Sequence, residues 1–307
     1  MDIYIAIATR DRETLLERTL ASVGQCRIPE GFKETLVVEN GARGRTEHVV
    51  NAAPPSLRAH YMFEAVGNKS RSLNAALAPI RQGLIIFLDD DVRVPPDLLE
   101  RYAAAGREAG PGRFFGGPVA PDYEEEPPSW VLAYLPASAT GWKLEDEPAD
   151  GTGLRTFLGF NWAAFAEDIH RVGGFSEDFG PGSATGSIGQ ESYMQRRLLA
   201  EGGQALYVRD ALVHHWVPKD RCSPAFAAER AFKDGIRTGL LKANYHGRFV
   251  AGYPIRQVRK SLQQWMRWQL RRLGGSSNGG FAERIAFEHA RGVARGLALK
   301  RSRENRA

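Results

Sequence analysis

The run Leu84-Ile85-Ile86-Phe87-Leu88, followed at once by Asp89-Asp90-Asp91, constrains this chain more than any other stretch. Five apolar residues without alternation read as a strand buried on both faces. Strands of that kind belong to parallel sheets, and open α/β sheets bind ligands at the carboxyl ends of their strands. Three adjacent carboxylates there repel one another unless a cation or donors offset the charge. A divalent metal that prefers hard oxygen ligands, Mg²⁺ or Mn²⁺, is the expected offset. A solvated acidic turn before Pro95-Pro96 is the rival reading.

Strand and helix patterns alternate on either side of this run. Ile3–Ala8 reads as a buried strand, and Leu15, Leu16, Leu20 and Val23 give Glu13–Val23 a helical spacing. Thr35–Glu39 is a second strand, closed by the turn pair Asn40-Gly41. A short strand near Tyr61–Phe63 precedes a helix over Lys69–Leu77. This alternation predicts an α/β fold, a mainly parallel sheet with helices on both faces. The middle is rich in Gly, Pro and Trp. It offers one more strand in Phe114–Val119, an apolar stretch Phe157–Phe165, a flexible Gly180–Gly189 and a helix Glu191–Ala200. No internal repeat is visible.

At 307 residues, 43% of them hydrophobic, the chain can bury a sizeable core. Its longest apolar runs are about five residues, far short of the ~20 that span a bilayer. No secretory signal precedes Ile3, and Cys26 and Cys222 form no CxxC pair, so a cytoplasmic location is expected. Charge is divided unevenly. Residues 1–222 hold 23 Lys and Arg against 31 Asp and Glu, whereas residues 223–307 hold 18 against 5. The tail is therefore expected to meet something anionic. No G-x-G-x-x-G follows the first strand and no G-x-x-x-x-G-K-[ST] occurs, which disfavours dinucleotide and P-loop sites.

Several segments, in order, carry a family resemblance. They are Ile7-Ala8-Thr9-Arg10-Asp11-Arg12, Val37-Val38-Glu39-Asn40-Gly41, Gly67–Asn74, Phe87-Leu88-Asp89-Asp90-Asp91, Gly159-Phe160-Asn161 with Gly173–Glu177, Gly189-Gln190-Glu191, and Val213-His214-His215. Together, from about Ile3 to about Arg221, they resemble the inverting family-2 glycosyltransferases of GT-A fold. The resemblance implies a Rossmann-like nucleotide-sugar-binding half over 1–105 and an acceptor-binding, catalytic half over 106–222. A basic helical extension over 223–307 completes the chain. The implied reaction moves a sugar from a nucleotide-diphosphate sugar, UDP-sugar foremost, to a hydroxyl acceptor in surface polysaccharide or glycoconjugate synthesis.

The same resemblance implies roles for single residues. Ala8, Thr9 and Arg10 line the nucleotide pocket, and Asp90 belongs to it. Glu39 stands where the family usually has Asp at the base. Lys69 or Arg71 neutralises phosphate. Asp91 is the first choice for a direct metal ligand, with Asp89 at the ribose or a metal-bound water. His215, from the closing histidine motif, joins the metal, although adjacent His214 and His215 point to opposite sides of an extended segment. Glu191 is the general base that inversion requires, and Gln190 replaces the acidic residue that usually precedes it. An ordinary first-turn Glu and a structural His are the plain alternatives. Trp130, Trp142 and Trp162 fall in the acceptor-side region, as sugar-stacking faces or core anchors.

In the tail, Ile255, Val258, Leu262, Trp265, Met266 and Leu273 share one face of a helix over Pro254–Leu273 that also carries six Arg and Lys. Such a helix suits a membrane interface over residues 254–272, an anionic lipid-linked acceptor or a partner helix; the alternative is packing with a solvated basic face. Gly274–Gly280 reads as a linker to a last helix near Phe281–Lys300. Two other readings of the whole chain remain: a non-catalytic GT-A-like module recruited by its basic tail, and a sugar-nucleotide pyrophosphorylase. The expected partners are a nucleotide sugar and a glycan or lipid-linked acceptor at the inner face of a membrane, with no nucleic acid.

Overall fold

A computed structural model describes residues 1–144, 156–243, 245–273 and 280–305. The expected linker Gly274–Gly280 lies, but for its last glycine, outside the described residues. The chain divides into two compact units. The first comprises residues 1–123, 137–182 and 189–217, and the second residues 124–136, 183–188 and 218–307.

The first unit opens with β1 (Ile3–Thr9), α1 (Glu13–Val23), β2 (Phe32–Asn40), α2 (Thr46–Asn51), β3 (Ala59–Glu64), α3 (Lys69–Leu77) and β4 (Leu84–Asp89). β5 (Val92–Arg93), α4 (Leu98–Ala109), β6 (Arg113–Gly116) and β7 (Val119–Tyr123) follow. In the second unit, α5 (Ser129–Leu132) is a single turn. The first unit resumes with α6 (Ala137–Thr140), β8 (Asn161–Phe165), α7 (Ala166–Arg171), α8 (Gln190–Ala200), β9 (Gln204–Tyr207) and β10 (Val213–Val217). Seven strands form one sheet in the order β3-β2-β1-β4-β8-β6-β9, and β5-β10-β7 form a second. β1, β2, β3 and β4 are mutually parallel, whereas β8 runs antiparallel to both β4 and β6.

The unbroken apolar runs of β1 and β4 follow from their central place, because both faces of the sheet are covered. Ile3, Ile5 and Ile7 pack with Leu84, Ile86 and Leu88 against Leu16 and Leu20 of α1 and Leu98 and Tyr102 of α4. On the other face, Ala6, Ile85 and Phe87 meet Leu73 and Leu77 of α3 and Met194 and Leu198 of α8. Trp162 belongs to this second layer, stacked on Phe87 with ring centroids 4.5 Å apart. It is a core anchor rather than an open sugar platform. The expected strand Phe114–Val119 is two strands, interrupted at Gly117-Pro118, and β7 leaves the large sheet for the small one. Proline lacks the N–H that a continuous ladder needs.

Asn161 pins this junction. The Tyr102 hydroxyl donates to its Oδ1 (2.6 Å), and its Nδ2 donates to the carbonyls of Pro118 (2.8 Å) and Ala211 (2.7 Å). Tyr102, Asn161 and Ala211 are buried and Pro118 partly so, which shields these hydrogen bonds from exchange with water. This accounts for Asn161 in the Gly-Phe-Asn segment without any ligand.

The second unit contains α9 (Pro224–Leu241), a hairpin of β11 (Phe249–Val250) and β12 (Tyr253–Pro254), α10 (Ile255–Leu273) and α11 (Phe281–Glu304). Ser223 caps α9 by accepting from the Phe226 N–H (3.1 Å), and Pro224 occupies the first turn, where no N–H is needed. Gly235 and Gly239 of α9 face Gly292 and Gly296 of α11. A Cβ on Gly292 would lie 2.1 Å from the Phe232 carbonyl oxygen, so the two backbones meet directly. α10 rests on α11 through Trp268, stacked on Phe287.

Replacing Asn161 with Ala strands the Tyr102 hydroxyl proton and the Ala211 carbonyl in the core, whereas the Pro118 carbonyl keeps the Val213 N–H. The expected loss is roughly 3 kcal/mol or more, read as a lower denaturation midpoint. Gly292→Ala is likewise expected to lower the thermal midpoint, by forcing α9 and α11 apart.

Candidate active site

β1 and β4 are neighbours in register, Ala8 opposite Asp89, so their carboxyl ends open at the same edge. Thr9 Oγ1 donates to Asp90 Oδ2 (2.7 Å). Arg12, in the turn after β1, places one guanidinium nitrogen 3.1 Å from Asp90 Oδ1 and 2.8 Å from Asp91 Oδ2. Lys69, the first residue of α3, is ion-paired with Asp89. Burial alone would pull the Lys69 pKa down, yet the Asp89 carboxylate, helped by Glu191 and Asp90, holds it above the ordinary lysine value.

β5 follows the three aspartates and pairs antiparallel with β10, His215 opposite Val92. The Trp216 N–H donates to the Asp91 carbonyl (2.8 Å), which locks that register. His215 Nε2 consequently lies 3.4 Å from Asp91 Oδ1. Its ring stacks on Phe160, with centroids 4.3 Å apart. Its Nδ1 is buried with no hydrogen-bond partner among the described residues. His214 sits opposite Arg93 and is only partly buried.

Glu191 is in the first turn of α8. It packs over Gly159, where a Cβ would come within 3.0 Å of its Cγ, and its charge reaches Lys69. Arg10 lies along Gly41 and Gly67 at the rim of β1 and β2. Glu39 ends β2 as expected, but its carboxylate is largely engaged. Gly44 N–H (2.7 Å) and Thr46 Oγ1 (2.8 Å) donate to Oε1, and the Tyr61 hydroxyl donates to Oε2 (2.6 Å). Burial, reinforced by Glu39, pushes the Tyr61 phenol up to about 12. Arg71 turns away from the aspartates to Glu64 (3.3 Å) and Glu177 (3.5 Å).

The structure thus brings Thr9, Lys69, Asp89, Asp90, Asp91 and His215 together, with Glu191 in electrostatic reach. It holds Glu39 in an adjoining turn and leaves Arg71 outside. Arg12 and Phe160 were not singled out from sequence. The signal for Arg12 lay in the count: three carboxylates need more than one cation, and Lys69 can serve only one of them. Among the described residues no three His, Cys, Asp or Glu side chains are grouped to hold a metal. Asp91 and His215 nevertheless fit one. Donor atoms 3.4 Å apart can share an ion whose bonds are roughly 2.0–2.2 Å long. Mg²⁺ and Mn²⁺ commonly take one or two protein ligands and complete their shell with substrate phosphates.

A family model, glycosyl transferase family 2, matches residues 4–173. The chain belongs to glycosyl transferase family 2. This glycosyltransferase is 26% identical over 256 residues to the succinoglycan biosynthesis protein ExoM of Rhizobium meliloti (strain 1021), covering 80% of this chain and 77% of that protein. It is 28% identical over 226 residues to a validoxylamine A glucosyltransferase of Streptomyces hygroscopicus subsp. limoneus, covering 65% of this chain but only 48% of that longer relative. Among solved structures it resembles the mannosyltransferase PcManGT of Pyrobaculum calidifontis, in complex with GDP-Man and Mn²⁺. There the TM-score is 0.56 at 18% identity, with 99% of this chain and 86% of that one covered. It also resembles S. aureus TarS 1–349 in complex with UDP-GlcNAc, with a TM-score of 0.53 at 13% identity, covering 99% and 92%. The fold is GT-A, and the relatives indicate glycosyltransferase activity.

Burial, then the neighbouring Asp91 charge, pushes the Asp90 carboxyl up to about 6 against the pull of Arg12 and Thr9. A folded-state value above the usual 3.8 means that the ionised carboxyl opposes folding at neutral pH. Acidification through about 6 protonates the folded state and relieves that cost. Asp90→Asn is therefore expected to raise the melting temperature of the metal-free protein at pH 7.5, with the gain shrinking toward pH 4.5. Thermal scans at both pH values check this.

Proposed function

We propose that this glycosyltransferase is metal-dependent and inverting, and that its donor is a nucleotide-diphosphate sugar, a UDP-sugar foremost. The acceptor is a hydroxyl of a glycan or lipid-linked glycan, in surface polysaccharide or glycoconjugate synthesis at the cytoplasmic face of a membrane. Residues 1–105 serve the donor and 106–222 the acceptor. The observation that carries this reading is the Asp91–His215 pair, set at the sheet edge beside Lys69 and Arg12.

Asp91 and His215 would hold Mn²⁺ or Mg²⁺, which supplies Lewis-acid stabilisation of the departing diphosphate. Lys69, Arg12 and Arg10 add fixed positive charge where negative charge develops, and such preorganised charge lowers the barrier. Ala8 and Thr9 form the wall of the nucleotide pocket. Glu39 shapes the base side through the turn it fastens, with acceptor capacity left on Oε2. Asp89, held by Lys69, faces the ribose, and Asp90 keeps Arg12 in place. Glu191 takes the proton from the acceptor hydroxyl as that oxygen attacks the anomeric carbon. The bond from that carbon to the β-phosphate oxygen breaks, and the nucleoside diphosphate leaves with the electron pair.

Asp91→Ala is expected to abolish transfer together with Mn²⁺-dependent UDP binding, measured by calorimetry. Glu191→Gln is expected to lower kcat by roughly 10²–10⁴ while donor affinity stays near that of the parent. An unchanged kcat in that variant removes Glu191 from the base role.

A further inference from the structure

We infer that α10, with the β11–β12 hairpin before it, is a docking face for the surface of an anionic lipid bilayer. This commits the membrane proximity proposed above to one helix face, and lipid binding itself requires no transfer.

Among the described residues, twelve large apolar side chains are exposed, and eight of them fall between Val250 and Leu273. Val258, Leu262, Trp265, Met266, Leu270 and Leu273 follow one another at steps of one, three and four, which keeps them on one side of the helix. Leu262 is 54% exposed, Leu270 69% and Leu273 85%. The opposite side is used inside the unit. Ser261 is buried, Trp268 stacks on Phe287, and Arg271 pairs with Glu283 (3.4 Å). The stripe is thus left over after α10 has packed. Val250 and Tyr253, exposed in the hairpin, lead into it.

Charge selects the occupant. α10 contains Arg256, Arg259, Lys260, Arg267, Arg271 and Arg272 and no Asp or Glu. A second copy laid stripe to stripe would bring cations against cations. An anionic bilayer offers an apolar layer for the stripe and phosphates for the arginines, the two demands of an interfacial helix. At 19 residues α10 is about 28 Å long. Among the described residues no helix is long and apolar enough to cross a membrane, so α10 lies in the interface instead of spanning.

The test is flotation of the full chain with vesicles of phosphatidylcholine alone or of an equimolar mixture with phosphatidylglycerol. No nucleotide, metal or acceptor is present, so a failed transfer assay leaves the result intact. The protein is expected to float with the mixed vesicles at least ~10-fold better than with the neutral ones, and less well as salt rises. Leu262→Asp with Leu270→Asp, both at exposed positions, is expected to reduce the bound fraction by ~10-fold or more. Arg256→Glu with Arg259→Glu is expected to remove the preference for the mixed vesicles. An unchanged melting temperature shows that the variants fold. Full chain left at the bottom with both vesicles overturns the proposal, as does undiminished flotation of the Leu262 and Leu270 variant. A dimer in solution that this variant dissolves, without vesicle binding by the parent, assigns the stripe to a second copy and also overturns it.

Discussion

Repulsion among three carboxylates at the end of a buried strand is the constraint that organises the first unit. Two unit charges about 4 Å apart interact by roughly 4 kcal/mol near a protein surface, so Asp89, Asp90 and Asp91 cannot stand together without partners. Each is given a different one. Lys69 of α3 takes Asp89, Thr9 takes Asp90, and Arg12 bridges Asp90 and Asp91. The partners come from separate segments, so satisfying the charges also fixes how β1, α3 and β4 are set against one another. Two cations against three carboxylates leave an excess of negative charge. A dication would neutralise that excess under the proposed reading, and burial, then the Asp91 charge, concentrates the cost on Asp90.

The histidine reaches this edge by backbone pairing and needs no side-chain reach of its own. β5 is only two residues long, yet its pairing with β10 and the Trp216 bond to the Asp91 carbonyl fix His215 to within hydrogen-bond precision. Arg18 of α1 covers the Trp216 ring at 4.8 Å, and Phe160 backs the imidazole. A side chain built in this way has lost its freedom before any ligand arrives, which is the condition for a well-defined site. Asn161 serves the same end from behind. By joining Tyr102, Pro118 and Ala211 it holds the segments that lead into β7 and β10.

The elements legible in the sequence were those whose pattern is set by local burial. α1 and α3 fall on the residues their periodicity indicates, and β4 runs one residue past its apolar core. The parts that were not legible depend on partners distant in the chain. Gly117-Pro118 reads as a pause, but nothing local shows that β7 then joins another sheet. In sequence Lys69 and Arg71 are equivalent cations, yet residues two apart on a helix do not face the same way, so Lys69 meets Asp89 and Arg71 meets Glu64 and Glu177. Glu39, placed at the base by its strand end and by the resemblance of Val37–Gly41, ends β2 as expected, but its engagement was not legible. Its extra methylene lets it reach back to Gly44 and Thr46, a contact with no local signature. Arg12 was visible in the opening motif, while its bridging role appears only once β1 and β4 are placed side by side.

The uneven charge of the chain acquires a physical meaning from the same geometry. A nucleotide-diphosphate sugar is anionic, and the acidic front of the chain, with 31 acidic against 23 basic residues in 1–222, does not attract it at long range. Screening over about 10 Å makes that unimportant under the proposed reading, in which Arg10, Arg12 and Lys69 at the strand ends meet the donor. The positive charge of the tail has no such local carboxylate cluster to serve. Within α10 the cations flank an apolar stripe that its own unit leaves uncovered. Exposed apolar area opposes solubility by about 25 cal/mol per Å², and a stripe of this length persists at that cost only where something covers it. If the proposed docking on an anionic surface holds, the sorting of charge along the sequence puts the attraction in the tail.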